Sequence, residues 1–200
     1  MKRIFSISLM LFIVSGIRAQ SSTEAIRENF QFAKKVEISE SAGKNFRYEM
    51  AVHSDKAESL EGVHFFGVAT DSKDKMISNK FLNIEKRTEQ EWTVFTIVGQ
   101  LPEGTSSIWF YTSVTQAGIY YFDDISLFVE ASAGSWKQLS ISNSSFEDRS
   151  PVMFAGYAVI QQKSGNPRTS LSEKIYKTGT HSLMITYSNE KEPLNLRTGE

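Results

Sequence analysis

The chain has 200 residues, no cysteine and a formal net charge of -1. Near-neutral charge gives no electrostatic basis for binding nucleic acid or an acidic membrane surface. Without cysteine no disulfide can staple the fold, so apolar burial must hold it, and the aromatic share of 12%, with 14 Phe and 7 Tyr, suits the space between two packed β-sheets.

Met1, Lys2 and Arg3 form a positive start, Ile4 to Val14 is an almost unbroken apolar run, and Ile17-Arg18-Ala19 places a small residue before Gln20. This is the pattern of a secretory signal peptide over residues 1–19. The run is shorter than the roughly 20 apolar residues that a spanning helix needs. No lipid-acceptor cysteine follows it, so the expected product is exported, periplasmic or extracellular, with no membrane insertion of the mature chain.

Next along the chain, Ile26, Phe30 and Ala33 recur at helical spacing behind Thr23, which predicts a short helix within Thr23 to Lys35. Phe46, Tyr48, Met50 and Val52 alternate with Arg47, Glu49 and Ala51, predicting a half-buried strand. Further β-rich runs are Val63 to Val68, Trp92 to Val98, Ser107 to Val114 and Ile119 to Val129. Turn-forming segments such as Leu101-Pro102-Glu103-Gly104 and Gln116-Ala117-Gly118 separate them. Short strands at this spacing predict an all-β fold, an antiparallel sandwich.

Small and polar residues at 131–135 read as a linker over residues 132–135. That gives a first module over residues 20–131 and new strand-like material over residues 136–200. Within the latter, Gln138 to Ile141, Phe154 to Ile160 and Ser182 to Thr186 are expected strands, and Lys163 to Ser172 an intervening polar loop.

Trp92 with Phe95, Ile97 and Gly99, then Leu101-Pro102-Glu103-Gly104, then Gly118-Ile119-Tyr120-Tyr121-Phe122-Asp123-Asp124-Ile125-Ser126-Leu127, resemble the second half of a galactose-binding-like jelly roll. The likeness is to carbohydrate-binding modules of the family 4 and 9 type. Asn143-Ser144-Ser145-Phe146-Glu147 and Gly179-Thr180-His181-Ser182-Leu183 resemble the first half of the same module. Similar modules accompany secreted polysaccharide-degrading enzymes and tail-specific serine peptidases. The opening strands of the first copy are missing or degenerate, and the second copy has no closing Asp-Asp strand. Two explanations stand: the chain is part of a longer protein that is cut inside a second module, or its two halves complete one circularly permuted sandwich.

The resemblance implies a structural calcium held by Glu147 and by Asp123 or Asp124, with carbonyls near Thr178 and Gly179; hard oxygen ligands suit that ion. The other reading of Asp123 and Asp124 is that they accept hydrogen bonds from neighbouring backbone at a strand bulge. Glycan binding, also implied, needs flat aromatic faces and a few polar groups that reach hydroxyls. Trp109 and Tyr111 fall on the strand face opposite Ile108 and Phe110, with Tyr120 and Tyr121 expected nearby, so these four are the candidate ligand contacts. The other reading of Trp109 and Tyr111 is cover against a neighbouring module, and Trp92 reads as core.

No catalytic pattern stands out. His53, His64 and His181 lack metalloprotease spacing, and no nucleophile elbow or phosphate-binding glycine loop is present. The expectation is a secreted, non-catalytic module that binds a polysaccharide or oligosaccharide, or that positions a covalently attached enzyme. A structural or protein-interaction spacer, and the accessory N-terminal region of a secreted peptidase or glycosidase, are the competing readings.

Overall fold

The computed structural model describes residues 30–55, 60–81, 84–148, 155–162 and 168–187. The expected leader and residues 23–29 of the expected helix lie outside them. Among the described residues there is no α-helix, and none is long and apolar enough to cross a membrane. In chain order the strands are β1 (Phe30–Glu37), β2 (Asn45–Ser54), β3 (Val63–Thr70), β4 (Met76–Phe81), β5 (Ile84–Glu89) and β6 (Trp92–Gln100). They continue with β7 (Ser107–Val114), β8 (Gly118–Ser132), β9 (Ser135–Leu139), β10 (Ala158–Gln162), β11 (Arg168–Ser172) and β12 (Ser182–Tyr187).

These strands form two antiparallel sheets that pack face to face. One has the order β10-β1-β7-β3-β4. The other has the order β11-β12-β8-β2-β6-β5, with β9 also paired to β8. Alternation explains the layering: Phe46, Tyr48, Met50 and Val52 of β2 and Ile108 and Phe110 of β7 are all at most 1% exposed, as a period of two requires when one face is buried. Aromatic pairs tie the sheets together. Tyr48 stacks on Phe110 with centroids 3.8 Å apart, Phe65 meets Phe95 at 4.7 Å, Phe46 meets Phe81 at 4.9 Å and Phe32 meets Phe122 at 5.6 Å. Such pairs contribute about 0.5–1.5 kcal/mol each beyond the area they bury.

Residues 30–35 are strand, not helix. β1 lies between β10 and β7, and Phe30, Phe32, Ala33, Lys34 and Val36 are all buried. Burial on both faces blurs the period of two, and the helical spacing of Phe30 and Ala33 is incidental to it. Lys34 is unusual in that position. Its ammonium donates to the Ser142 carbonyl (2.8 Å), the Gly156 carbonyl (2.9 Å) and the Ser142 hydroxyl (3.0 Å), and it lies 4.3 Å from the centroid of the Tyr157 ring. Burial pushes its pKa down.

The segment expected to be a linker is a hairpin tip. β8 runs through Ser132 and β9 starts at Ser135, with Gly134 at φ 76 making the turn. Part of the expected polar loop is likewise a strand, since β11 pairs with β12 along its length. Strands from the second half of the chain join sheets built by the first half, β10 beside β1 and β12 beside β8.

Candidate functional site

Carboxylates from separate parts of the chain converge on one segment, Glu173 to His181, which crosses the outer face of the larger sheet. The arrangement begins with a bulge: Ala51 pairs with Asp123 but Glu49 with Ser126, so β8 carries one extra residue, and Asp124 adopts φ 51. A bulge of this kind redirects side chains. Asp123 is fully buried, and its carboxylate accepts from the backbone N–H of Lys177 (2.7 Å), Asp124 (2.7 Å) and Thr178 (3.1 Å). Burial pushes its pKa up to about 6, against the pull of those three donors. Asp124 accepts from the Thr178 hydroxyl and lies 3.3 Å from the Lys177 ammonium, which also pairs with Glu89 at 2.8 Å.

Glu147 holds the segment just beyond Gly179. Its Oε1 accepts from the N–H groups of Thr180 and His181, both at 2.8 Å, and its Oε2 from the Thr180 hydroxyl at 2.8 Å, with His181 Nδ1 at 3.0 Å. Desolvation, which would raise the pKa of Glu147, is outweighed by His181 and Thr180, which hold it at about 2. Gly179 between the anchors has φ 68, and a Cβ there would collide with the Glu147 carboxylate. Only glycine suits that place.

Asp123, Asp124 and Glu147 are thus brought to one segment, as hydrogen-bond acceptors. The oxygens that the resemblance offers to calcium face N–H donors and an ammonium, and the segment presents the N–H groups of Lys177 and Thr178 to Asp123. Among the described residues no group of three or more His, Cys, Asp or Glu could hold a metal ion. In this arrangement the carboxylate oxygens are engaged by N–H and O–H donors of the segment and by the Lys177 ammonium.

The four candidate ligand contacts separate. Trp109 and Tyr111 lie in β7, at the middle of the smaller sheet, half-buried on its outer face. Tyr111 stacks on Phe66 (4.6 Å, 3° between planes) and lies 6.2 Å from Trp109, while the Lys35 ammonium lies 5.8 Å from the centroid of the Trp109 ring. Lys35 in turn pairs with Asp74 at 2.7 Å and Glu37 at 3.2 Å. Phe66 completes this row; it stands opposite Tyr111 in the β3–β7 register, a cross-strand pairing that a reading of each strand by itself does not reveal.

Tyr120 is not a ligand contact. It is 1% exposed, belongs to the core between the sheets and donates its hydroxyl to the Gln116 carbonyl at 3.1 Å. Tyr121, its neighbour in a period-two strand, points to the outer face of the larger sheet and packs with Ala51, Val94 and Trp92. The crossing segment covers this patch with Ile175. Both tyrosines belong to the sheet that does not carry Trp109. Trp92 is buried in this smaller cluster at 6% exposure, outside the main core. Comparisons of the chain with protein-family models, with curated proteins and with solved structures return no match.

Proposed function

We propose that the protein is an exported, non-catalytic β-sandwich module that binds a polysaccharide or oligosaccharide across the outer face of its smaller sheet. The observation behind this reading is the row of three near-parallel rings, Phe66, Tyr111 and Trp109, at the middle of that sheet. Polar groups flank it: Gln31 and Ser113, hydrogen-bonded at 3.0 Å, and Lys35 with its two carboxylates. Aromatic surface beside a few fixed polar groups is the composition that recognises sugar rings and their hydroxyls. Retention of the protein on insoluble polysaccharides, together with a glycan array, tests it. Binding that falls at least about tenfold in Trp109→Ala, a loss of roughly 1.4 kcal/mol, supports the reading. Binding that is unchanged in Trp109→Ala and in Tyr111→Ala removes it.

One observation favours the spacer reading instead. Trp109 and Tyr111 are half-buried, one face of Tyr111 is taken by Phe66, and the Lys35 ammonium lies over Trp109. Rings whose faces are engaged by neighbours suit contact with a flat protein partner, such as an attached catalytic domain. An array without hits, combined with protection of the Trp109 indole only when such a partner is present, is the outcome that this reading requires.

A further inference from the structure

We propose a second site, at the end of the larger sheet, where His53 and Asp55 grip the vicinal hydroxyls of a single sugar ring. The ligand class rests on the glycan reading above, but the site lies on the other sheet from Trp109. A cavity of about 500 Å³ opens there, lined by His53 and Asp55 together with Ser54, Thr88, Gln90 and Thr93, within the size range of small-molecule sites.

The hydrogen-bond inventory of His53 fixes what the ligand must offer. Its Nδ1 lies 2.7 Å from the Glu91 carbonyl. A carbonyl only accepts, so Nδ1 carries the hydrogen, and in the neutral ring Nε2 is left as an acceptor. That Nε2 stands 3.7 Å from Oδ1 of Asp55, beyond direct hydrogen-bond distance. The other oxygen of Asp55 accepts from the Tyr121 hydroxyl at 3.4 Å, and the His53 ring is held between Trp92 and Tyr121 with both centroids 5.6 Å away. Two acceptors are therefore fixed side by side at the cavity wall. They call for two donors on adjacent atoms, and neighbouring ring hydroxyls supply them. The described lining residues include the carboxylates of Asp55 and Glu91 and no Lys or Arg, which disfavours an anion. The hydroxyl and amide groups of Thr88, Gln90 and Thr93 donate and accept alike, as the remaining hydroxyls of a sugar require.

The test is an NMR titration of the full chain with glucose, galactose, mannose and xylose, following the His53 imidazole and the Trp109 indole. The expected result is a saturable shift of the His53 signal with at least one of the four, no shift at Trp109, and affinity at least about tenfold weaker in Asp55→Asn. A His53 signal that moves with none of them, or moves equally in Asp55→Asn, overturns the site. If Trp109 responds to an oligosaccharide while His53 does not, the glycan reading stands and this site falls. If His53 responds while Trp109→Ala leaves polysaccharide retention unchanged, this site stands and the aromatic row does not bind glycan.

Discussion

The two sheets place aromatic residues on their outer faces in opposite ways. On the larger sheet, Trp92 and Tyr121 are 6% exposed each, packed with Val94 and Ala51 and covered by Ile175 from the crossing segment. On the smaller sheet, Phe66, Tyr111 and Trp109 stay half-exposed and lean on one another. The difference lies in what secures the cover. Asp123 and Glu147 fasten the second half of the crossing segment, on either side of Gly179, through backbone N–H groups, which turns an outer face into a minor core. A ring in the minor core serves stability. A ring in the open row remains free to meet a partner.

Substitution should separate the faces most sharply at the two tryptophans. Trp92→Ala is expected to cost about 3–5 kcal/mol, as for a buried aromatic. Trp109→Ala should cost about 1 kcal/mol or less. Equal losses in urea denaturation would dissolve the distinction. Next in size is Asp123→Ala, which leaves three N–H donors without their acceptor and should cost about 2–3 kcal/mol. Its loss should also uncover the minor core, read as increased fluorescence quenching of Trp92 by acrylamide. Lys34→Met removes a buried ammonium and its bonds to the Ser142 and Gly156 carbonyls and is expected to cost about 1–2 kcal/mol, without changing that quenching.

The smallest expected effect is the dependence on pH. Asp123 has its folded pKa raised to about 6, so its contribution favours the folded state below the unfolded value near 3.8 and is lost as pH rises towards 6. Glu147 works in the opposite sense: held at about 2, it contributes stability above its ordinary value, lost as pH falls towards 2. Thermal unfolding between pH 2 and 7 should therefore show opposed slopes. Asp123→Asn flattens the upper one and Glu147→Gln the lower. A profile identical in all three proteins would remove both carboxylates from the account.

The strands with one buried face were legible because alternation is written into them: Phe46 to Val52 and Ser107 to Val114 appear where expected. β1 was not, because burial on both faces erases its period, and Lys34 at its centre is tolerated only through oxygens supplied over a hundred residues later. β4 and β5 escaped notice for a different reason. They are edge strands, and Glu85, Lys86 and Arg87 face water, so no apolar rhythm marks them. At the site, the bulge at Asp123-Asp124 could be anticipated, but the donors on the crossing segment could not. Tyr120 and Tyr121 show the limit most simply: adjacent residues on a strand point to opposite faces, and which face is open depends on what the rest of the chain lays over it.

The placement of β1 also constrains the order of assembly. Its first neighbour is β7, beginning at Ser107, and its second is β10, beginning at Ala158. No neighbouring strand in sequence can shelter it, and β8 likewise waits for β12 at Ser182. A chain emerging from its N-terminus must therefore carry β1 unpaired until β7 appears, about 70 residues after Glu37. Folding of this kind, dominated by distant pairings, is expected in the millisecond-to-second range, and until then the Phe30-Gln31-Phe32-Ala33 stretch is open to strands of other molecules.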